Sequence, residues 1–499
     1  MKNMKNKIII FLLALLVLFT AACSQDPKTP SGGNDKNGGQ QETEEHEVLE
    51  EVDKLAQYNF NGQEIRILTS VNASENFITN SNYMIEGTGT ITGESVNDAV
   101  YKRNMDVENL LNIKFNYTQM DEDYATVEKA ISKLLLSGTD AYDLIINDLR
   151  SVANLSLQNM FLNIKKSDVF DLSQSYWYTD VMDDVSIGKD KSFLLAGDYF
   201  IDILRNCHVL FLNKSILEEQ SQGSSDELYR KVVDGAWTFD EFLALTKSFL
   251  KDVNGDGEYK NADDQYGFIC VGTWGSAQPF MMAANTGVFT KDADGIPSLT
   301  INNPKSLQLH DYLTQLFAKD SGGNSTFTGD NLILQFNSRR TLMVGYQRLA
   351  TLEQLRSMED EVSILPYPKL NAEQNKYVTS AHDTTEVGAI PTTTNNFEMV
   401  CVVLEALNRE TKNTIIPVYY EQSLKIKYAR DDASAQIIDI IHDSLGNVFP
   451  LAYSEIITGV LSLYDVGATK NFTSSYEKME AKTQEKLEKV IESYMESGS

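Results

Sequence analysis

"NGQEIRILTS" (residues 61–70) opens a run of alternating strand and helix patterns that decides the fold. Its isoleucine and leucine side chains indicate a first strand, and the segments that follow alternate in hydrophobic period. They are a helix at 93–112 ("GESVNDAVYKRNMDVENLLN"), a strand at 113–120 ("IKFNYTQM"), a helix at 124–138 ("YATVEKAISKLLLSG") and a strand at 142–148 ("YDLIIND"). This βαβαβ order predicts an α/β fold whose sheet is mostly parallel and flanked by helices.

A second set of alternating patterns begins at "HVLFLNKSILEEQ" (208–220). It includes the helical "WTFDEFLALTKSFL" (237–250), in which Thr238 and Glu241 have capping-box spacing. "EVSILPYPKL" (361–370) is typical of a buried strand, and the C-terminal region is helical. With 499 residues, the chain is long enough for two domains of ordinary size.

The composition is that of a globular, acidic protein, with 42% apolar residues and a formal net charge of -28. A surface this acidic repels the phosphates of nucleic acids and anionic lipid headgroups. We therefore expect no nucleic-acid partner.

The N-terminus has the features of a bacterial export signal. "MKNMKNK" (1–7) is cationic, and the apolar run at 8–19 is too short to span a bilayer comfortably. Small residues then precede Cys23, which resembles a lipobox, although Thr20 stands where the pattern prefers Leu. We expect residues 1–22 to be a lipoprotein signal peptide and Cys23 to carry lipid, including palmitate; the alternative is ordinary signal cleavage beside a Cys.

Residues 23–57 are predicted to form a flexible tether. Most of this segment is Gly, Gln, Asn, Glu and other polar residues, which cannot offset the entropy of ordering by burial. A lipidated Cys23 on such a tether would hold the folded part at the extracellular face of the cell membrane. No later apolar run is long enough to predict a transmembrane helix.

The other cysteines do not predict a disulfide framework. Cys207, Cys270 and Cys401 are odd in number and form no CxxC motif. Buried thiols are the expected outcome.

"KDVNGDGEYKNADDQYGF" (251–268) has the oxygen-ligand spacing of a calcium loop, with Gly257 at position 6. The candidate ligands at positions 1, 3, 5, 7 and 12 are Asp252, Asn254, Asp256, Glu258 and Asp263. A calcium sensor needs a helix after the loop, whereas "QYGFICVG" has the pattern of a strand. We therefore expect any Ca²⁺ here to be structural, joining a helix to a strand.

Catalytic signatures are missing from the sequence. It contains five His but no HExxH, GxSxG, P-loop or GxGxxG after a strand. Acidic pairs such as Asp183 and Asp184 could form a glycosidase dyad, but with 71 acidic residues such pairs arise easily. We do not expect an enzyme.

Taken in order, these segments resemble family 1 extracellular solute-binding proteins, the substrate-binding lipoproteins of Gram-positive ABC importers. The resemblance runs from about residue 60 to the C-terminus. The matching segments are 93–104, 142–148, 208–217, 236–268 (with its calcium-like loop), 363–371 ("SILPYPKLN"), 382–396 ("HDTTEVGAIPTTTNN") and 403–441.

The resemblance implies a two-lobed, periplasmic-binding-protein-like fold of type II, in which each lobe is a mixed sheet flanked by helices and a hinge joins the lobes. "HVLFLNKS" resembles the first crossover and "ILPYPK" the return. The first lobe would then comprise 58–208 and 362–408, and the second 209–361 and 409–499.

Ligands of open α/β sheets lie beyond the carboxyl ends of the strands, and polar and aromatic side chains at those positions are the candidate solute contacts. They are Asn147, Asp148, Arg150, Asp202, Arg205, Asn206, Trp274, Gln278, Tyr346, Arg348, Asp383 and Thr384. Aromatic rings pack on the C–H faces of sugars, while Asp, Asn and Arg pair with hydroxyl groups. The resemblance implies delivery of the solute to ABC permease subunits, and with these residue types we expect a monomeric carbohydrate-binding protein whose solute is an oligosaccharide. A peptide or another polar solute is the alternative ligand, and a secreted polysaccharide-processing enzyme is the alternative class.

Overall fold

The computed structural model describes most of the chain from residue 54 onward. Residues 54–57, predicted to belong to the flexible tether, instead form a 3₁₀ turn in which Leu55 is buried in the core. The described residues are 54–71, 84–122, 124–220, 224–259, 263–272, 277–420, 432–454 and 459–498. The predicted signal peptide and Cys23 lie outside these ranges, as does Trp274.

Within these ranges, strands and helices alternate through the first two thirds of the chain and helices dominate the remainder. The strands are β1 (Gln63–Val71), β2 (Ile113–Asp121), β3 (Leu144–Asp148), β4 (His208–Asn213), β5 (Tyr266–Val271), β6 (Phe289–Lys291), β7 (Pro297–Leu299), β8 (Gly323–Phe327), β9 (Thr341–Arg348), β10 (Val362–Leu365) and β11 (Glu386–Ala389). The α-helices are α1 (Ser95–Leu111), α2 (Tyr124–Leu136), α3 (Leu149–Ser156), α4 (Thr179–Val185), α5 (Asp202–Arg205), α6 (Lys214–Glu219), α7 (Ser225–Val233), α8 (Phe239–Ser248), α9 (Gln278–Ala283), α10 (Pro304–Leu316), α11 (Gly329–Asn337), α12 (Phe397–Tyr419), α13 (Asp432–Asp443), α14 (Phe449–Ala452) and α15 (Phe472–Glu496).

Local sequence signals set the ends of α1. The Glu94 carboxylate accepts hydrogen bonds from the backbone N–H groups of Val96 and Asn97, at 3.1 and 2.7 Å, and so caps the N-terminus. Asn112 ends the helix in the left-handed region, with φ of 51°. One face of α1, including Val100 and Val107, is buried in the core.

The first sheet has the strand order β11-β3-β1-β2. β1 is parallel to β2 and β3, and β11 is antiparallel to β3, with Glu386 opposite Asp148. The predicted βαβαβ unit is therefore present, and a late strand from the C-terminal part of the chain completes its sheet.

The second sheet has the order β10-β4-β9-β5-β8. β5 is parallel to β8 and β9, whereas β4 is antiparallel to β9 and β10. We expected residues 362–365 in the first lobe, but β10 hydrogen-bonds to β4 in the second sheet. The apolar pattern predicted the strand correctly, but it carries no information about which strand lies beside it.

Two segments of chain cross between the sheets side by side; we call residues 202–208 and 380–386 the crossover pair. Cys207 and Ala381 form an antiparallel β-bridge between them. The His208 N–H donates to the Ser380 carbonyl at 2.8 Å, and the His382 N–H donates to the Asn206 carbonyl at 2.9 Å. The two sheets are thus joined by paired backbone rather than by two independent linkers.

The helices after β11 contact elements on both sheets. α12 packs on α1, beside the first sheet, while α13 packs on α7, beside the second. The Tyr494 ring of α15 lies 4.9 Å from that of Phe193, and the Phe472 ring at the other end lies 5.6 Å from the imidazole of His310. Residues 409–499, expected in the second lobe, therefore also contact the first.

Cys207, Cys270 and Cys401 are free and buried, as predicted. Burial in apolar surroundings raises the pKa of each thiol. Among the described residues, no helix combines the length and the apolar character needed to cross a bilayer.

Candidate functional site

Most of the predicted solute contacts lie at or beside the crossover pair. We call this group the crossover cluster; its members are Asn147, Asp148, Arg150, Asp202, Arg205, Asn206, Tyr346, Arg348, Asp383 and Thr384, together with two unpredicted residues, His208 and His382. β3 and α3 bring the first three, the crossover segments bring Asp202 to His208 and His382 to Thr384, and the end of β9 brings the other two.

Asn147 and Asp148 occupy the carboxyl end of β3. The Ser70 hydroxyl donates to Asn147 Oδ1 at 2.8 Å, while Asn147 Nδ2 is buried and has no hydrogen-bond partner within the described residues. The Asp148 carboxylate caps α3 by accepting from the Ser151 N–H at 3.2 Å and from the Ser151 hydroxyl. Burial raises the pKa of Asp148, although the bonds from Ser151 oppose this effect.

An ion pair connects the first lobe to the second crossover segment. Arg150 Nη1 lies 3.3 Å from Asp383 Oδ2, and His382 Nδ1 lies 2.9 Å from Asp383 Oδ1. Burial alone would raise the pKa of Asp383, but the hydrogen bond from His382 and the charge of Arg150 together hold it well below its usual range. Asp383 is therefore a carboxylate at neutral pH.

Asp202 is the equivalent acid of the first crossover segment. Its Oδ2 accepts from Asn206 Nδ2 at 2.5 Å and from the Glu386 N–H at 3.1 Å. Arg205 Nη1 lies 3.9 Å from its Oδ1. Burial raises the pKa of Asp202, and the charges of Arg205 and Arg348 oppose this shift.

Three rings meet beside these charges: those of His208, Tyr346 and His382. The His208 and Tyr346 rings are stacked, with centroids 5.5 Å apart and planes 28° apart. The His382 ring lies 5.5 Å from His208 and 6.1 Å from Tyr346. Burial raises the pKa of the Tyr346 phenol to about 12, so Tyr346 is a neutral hydrogen-bonding group.

Tyr346 has a φ of 55°, which is rare for an aromatic residue. The Tyr367 hydroxyl accepts a hydrogen bond from the Tyr346 N–H at 2.7 Å and so fixes this conformation. Tyr346 is predicted to follow a strand; in the structure it lies within β9, where this turn of the backbone sets its direction.

Gln278 and Trp274 were predicted to contact solute from the second lobe. Gln278 is the first residue of α9 and is 2% exposed, with neither side-chain amide atom hydrogen-bonded within the described part of the chain. Trp274 lies outside the described residues, so its role stays a prediction.

Sequence reasoning missed the two histidines. His208 opens β4 opposite Arg348, and His382 directly precedes Asp383. The available signal was position: each histidine adjoins a candidate contact at a crossover. Neither histidine belongs to a catalytic motif, so the sequence pattern alone does not single it out.

The predicted calcium loop joins α8 to β5, so a strand follows it, as expected. Asp252 accepts from the backbone N–H groups of Gly255 and Gly257, at 2.6 and 2.9 Å, and Asp263 lies 3.0 Å from Arg340. Among the described residues, no group of three or more Asp, Glu, His or Cys side chains converges to hold a metal. Calcium binding by this loop stays a prediction.

α8 begins after Thr238, as predicted, but the capping box does not form. Thr238 makes no side-chain hydrogen bond to the helix, and Glu241 instead pairs with Lys231 at 2.6 Å. Glu241 thus forms an ion pair between α7 and α8 instead of a capping bond.

No protein-family model matches this chain, and no curated protein matches it in sequence. Solved structures do match its fold. The galacto-N-biose-/lacto-N-biose I-binding protein of an ABC transporter from Bifidobacterium longum, in complex with lacto-N-biose, has 12% identity and a TM-score of 0.56, and the match covers 88% of this chain and 99% of that chain.

Two further matches have a similar extent. An ABC substrate-binding protein from Listeria monocytogenes in complex with cycloalternan has 12% identity and a TM-score of 0.53, covering 86% of this chain and 99% of that chain. UgpB from Mycobacterium tuberculosis in complex with glycerophosphocholine has 11% identity and a TM-score of 0.53, with the same coverage. The predicted two-lobed, periplasmic-binding-protein-like fold, with mixed sheets flanked by helices, is confirmed.

Proposed function

We propose that this protein is the solute-binding component of an ABC importer and that it captures a carbohydrate, in particular an oligosaccharide, between its two lobes. The observation that carries the proposal is the crossover cluster. Carboxylate, amide, guanidinium and aromatic groups meet where the two sheets join, on a fold shared with proteins solved with lacto-N-biose and cycloalternan. These group types suit a sugar, since rings pack on its C–H faces and polar groups pair with its hydroxyls.

In this proposal the protein catalyses no reaction. Solute shifts the balance between open and closed arrangements by the contacts it makes only in the closed one, and the closed form is presented to the permease subunits. A thermal-shift screen of the purified protein against monosaccharides, oligosaccharides and peptides tests the solute class. We expect neutral oligosaccharides to raise the melting temperature.

A peptide or another polar solute is the second candidate. The cluster contains three arginines, and one match of the fold was solved with glycerophosphocholine. A charged or amphipathic hit in the same screen, with no sugar hit, would replace the carbohydrate assignment. Release of products from oligosaccharides incubated with the protein would instead favour the enzyme alternative.

We also propose that lipid on Cys23 anchors the protein to the cell membrane on its extracellular face, and that the folded part is a monomer. The sequence pattern before Cys23 supports the anchor. Mass spectrometry of the membrane fraction should find an acylated N-terminal peptide, and Cys23→Ser should release the protein to the medium. An unmodified peptide that begins at another residue would support ordinary signal cleavage.

Trp274 and Tyr346 are proposed aromatic contacts for the solute. Alanine at each position should weaken binding of the best sugar from the screen, while Tyr346→Phe should retain ring packing and lose only the hydroxyl. Unchanged affinity in both alanine variants would remove these two residues from the site.

A further inference from the structure

His208 has one ring nitrogen that the fold satisfies and one that it does not. The Ser380 hydroxyl lies 3.2 Å from Nδ1, within hydrogen-bond distance. Nε2 is buried and has no hydrogen-bond partner within the described residues. The residue is only 2% exposed, so a ring nitrogen left unpaired there is unfavourable.

Aromatic rings lie beside His208, and other candidate solute contacts also carry buried polar atoms that form no hydrogen bond in the described residues. Tyr346 is stacked on one side of the ring, and His382 lies beside it. Asn147 Nδ2 at the end of β3, Asp202 Oδ1 in the first crossover segment and both amide atoms of Gln278 are likewise buried and form no hydrogen bond within the described residues. These atoms lie at the carboxyl edges of both sheets and on the chain that joins them.

Four charged groups of this region form two pairs. Arg150 pairs with Asp383 at 3.3 Å, and Arg205 lies 3.9 Å from Asp202. A solute that brought its own charge would have to compete with these pairs. A hydroxyl group meets no such competition.

We propose that His208 is a solute-binding residue whose Nε2 forms a hydrogen bond with an uncharged hydroxyl group of the bound carbohydrate, while the neighbouring Tyr346 ring packs against the solute. The inference rests on the proposed function. A hydroxyl both donates and accepts, so it pairs with Nε2 whichever ring nitrogen carries the proton. A carboxylate or an ammonium group would suit only one of the two tautomers.

Burial, His382 and Arg348 all lower the pKa of His208, in agreement with a neutral ring. Because Nε2 is shielded from solvent, a solute reaches it when the lobes separate about the crossover pair, and the contact forms on closure. The contact made by His208 would thus depend on closure of the lobes as well as on the chemistry of the solute.

The test compares affinities by isothermal titration calorimetry with maltotetraose and lacto-N-biose as probes. His208→Phe keeps an aromatic ring for stacking but removes both ring nitrogens. His310→Gln is the matched control, because His310 is also buried but its Nε2 bonds to the Thr469 carbonyl at 3.1 Å, beside α15. We expect His208→Phe to weaken binding by about tenfold or more and His310→Gln to leave it unchanged.

A second measurement covers the case in which His208→Phe does not fold. In wild-type protein labelled with ¹⁵N in the imidazole rings, saturating probe should move the Nε2 signal of His208 and leave that of His310 in place. If His208→Phe binds the probe as tightly as the wild type does, and the His208 signal of the wild type does not move when the probe binds, this inference is wrong. The proposed function would still stand, because the probe binds. If neither probe binds the wild-type protein and the wider sugar screen is also negative, the carbohydrate function fails, and this inference fails with it.

Discussion

Arg150 and Asp383 form a largely buried ion pair that joins α3 of the first lobe to the second crossover segment. Their side chains are 15% and 10% exposed, and the Nη1 to Oδ2 distance is 3.3 Å. Removal of one partner leaves the other charge desolvated and uncompensated. The pair therefore links the stability of the hinge region to the geometry of the candidate site.

Arg150→Met and Asp383→Asn should each lower the free energy of unfolding by about 3 kcal/mol. The double variant should lose clearly less than the sum of the two, because the second change removes a charge that has already lost its partner. Urea denaturation of the four proteins measures this coupling. Strictly additive losses would mean that the two charges do not interact.

Gly267→Ala should destabilise the second lobe by about 3 kcal/mol, because a Cβ at this position would lie 1.9 Å from the Thr246 carbonyl oxygen of α8. The clash is with backbone, so no side-chain rotation relieves it. Gly329→Ala is the control, since a Cβ there meets no atom within 4 Å and its φ is not positive. Thermal unfolding of both variants should separate them; equal melting temperatures would contradict the observed approach of α8 to β5.

His442 should make the folded state more stable below neutral pH than above it. Its ring Nδ1 lies 2.8 Å from Asp443, and its Nε2 lies 3.6 Å from the buried Asp198. Burial lowers the pKa of His442, but the two carboxylates outweigh it and raise the pKa above its usual value. The extra stability is therefore fully present below the unfolded pKa of about 6.5 and is lost as pH rises through the raised folded pKa.

Denaturant titrations of the wild type and of His442→Gln, at a series of pH values from 6 to 9, measure the effect. We expect the stability advantage of the wild type over the variant to shrink as the pH increases. A difference that stays constant from pH 6 to pH 9 would show that His442 does not titrate with folding.

Calcium should raise the melting temperature if the loop at 251–268 binds it, because a ligand of the folded state stabilises that state. EDTA should then lower the melting temperature, and Asp252→Asn should abolish both responses. Asp292→Asn is the control: Asp292 also accepts from turn N–H groups, those of Asp294 and Ile296, each at 2.9 Å, but outside this loop. An EDTA titration with no effect, in a sample free of metal, would rule out the calcium site.

The first three strands and the helices between them could be predicted from sequence, because their apolar periods are long and uninterrupted. β11 could not be predicted as a strand. Its sequence, "EVGA", is short and contains Gly388, and its position depends on a neighbour, β3, that is distant in the chain. The Cβ of a larger residue at Gly388 would collide with the Phe200 ring, a constraint that only the structure reveals.

The candidate site was predictable where residues follow strands and unpredictable where the backbone turns locally. Asn147 and Asp148 were found because β3 ends in polar residues. The direction of Tyr346 depends on a positive φ and on the hydroxyl of Tyr367, and neither has a sequence signature. The contact between His208 and Ser380 likewise depends on the pairing of the two crossover segments, which the local sequence pattern does not encode.

The pairing of Glu386 with Asp148 joins two strands that are far apart in the chain, and this separation affects how the first sheet can form. β1, β2 and β3 are close together in the chain, but the free edge of β3 has no neighbour until it pairs with β11, which follows every strand of the second sheet in the sequence. Closing so long a loop is slow, and an open strand edge is a template for pairing with other chains. We therefore expect substitutions in β11 to lower the yield of soluble folded protein, through aggregation, before they lower the melting temperature of the molecules that do fold.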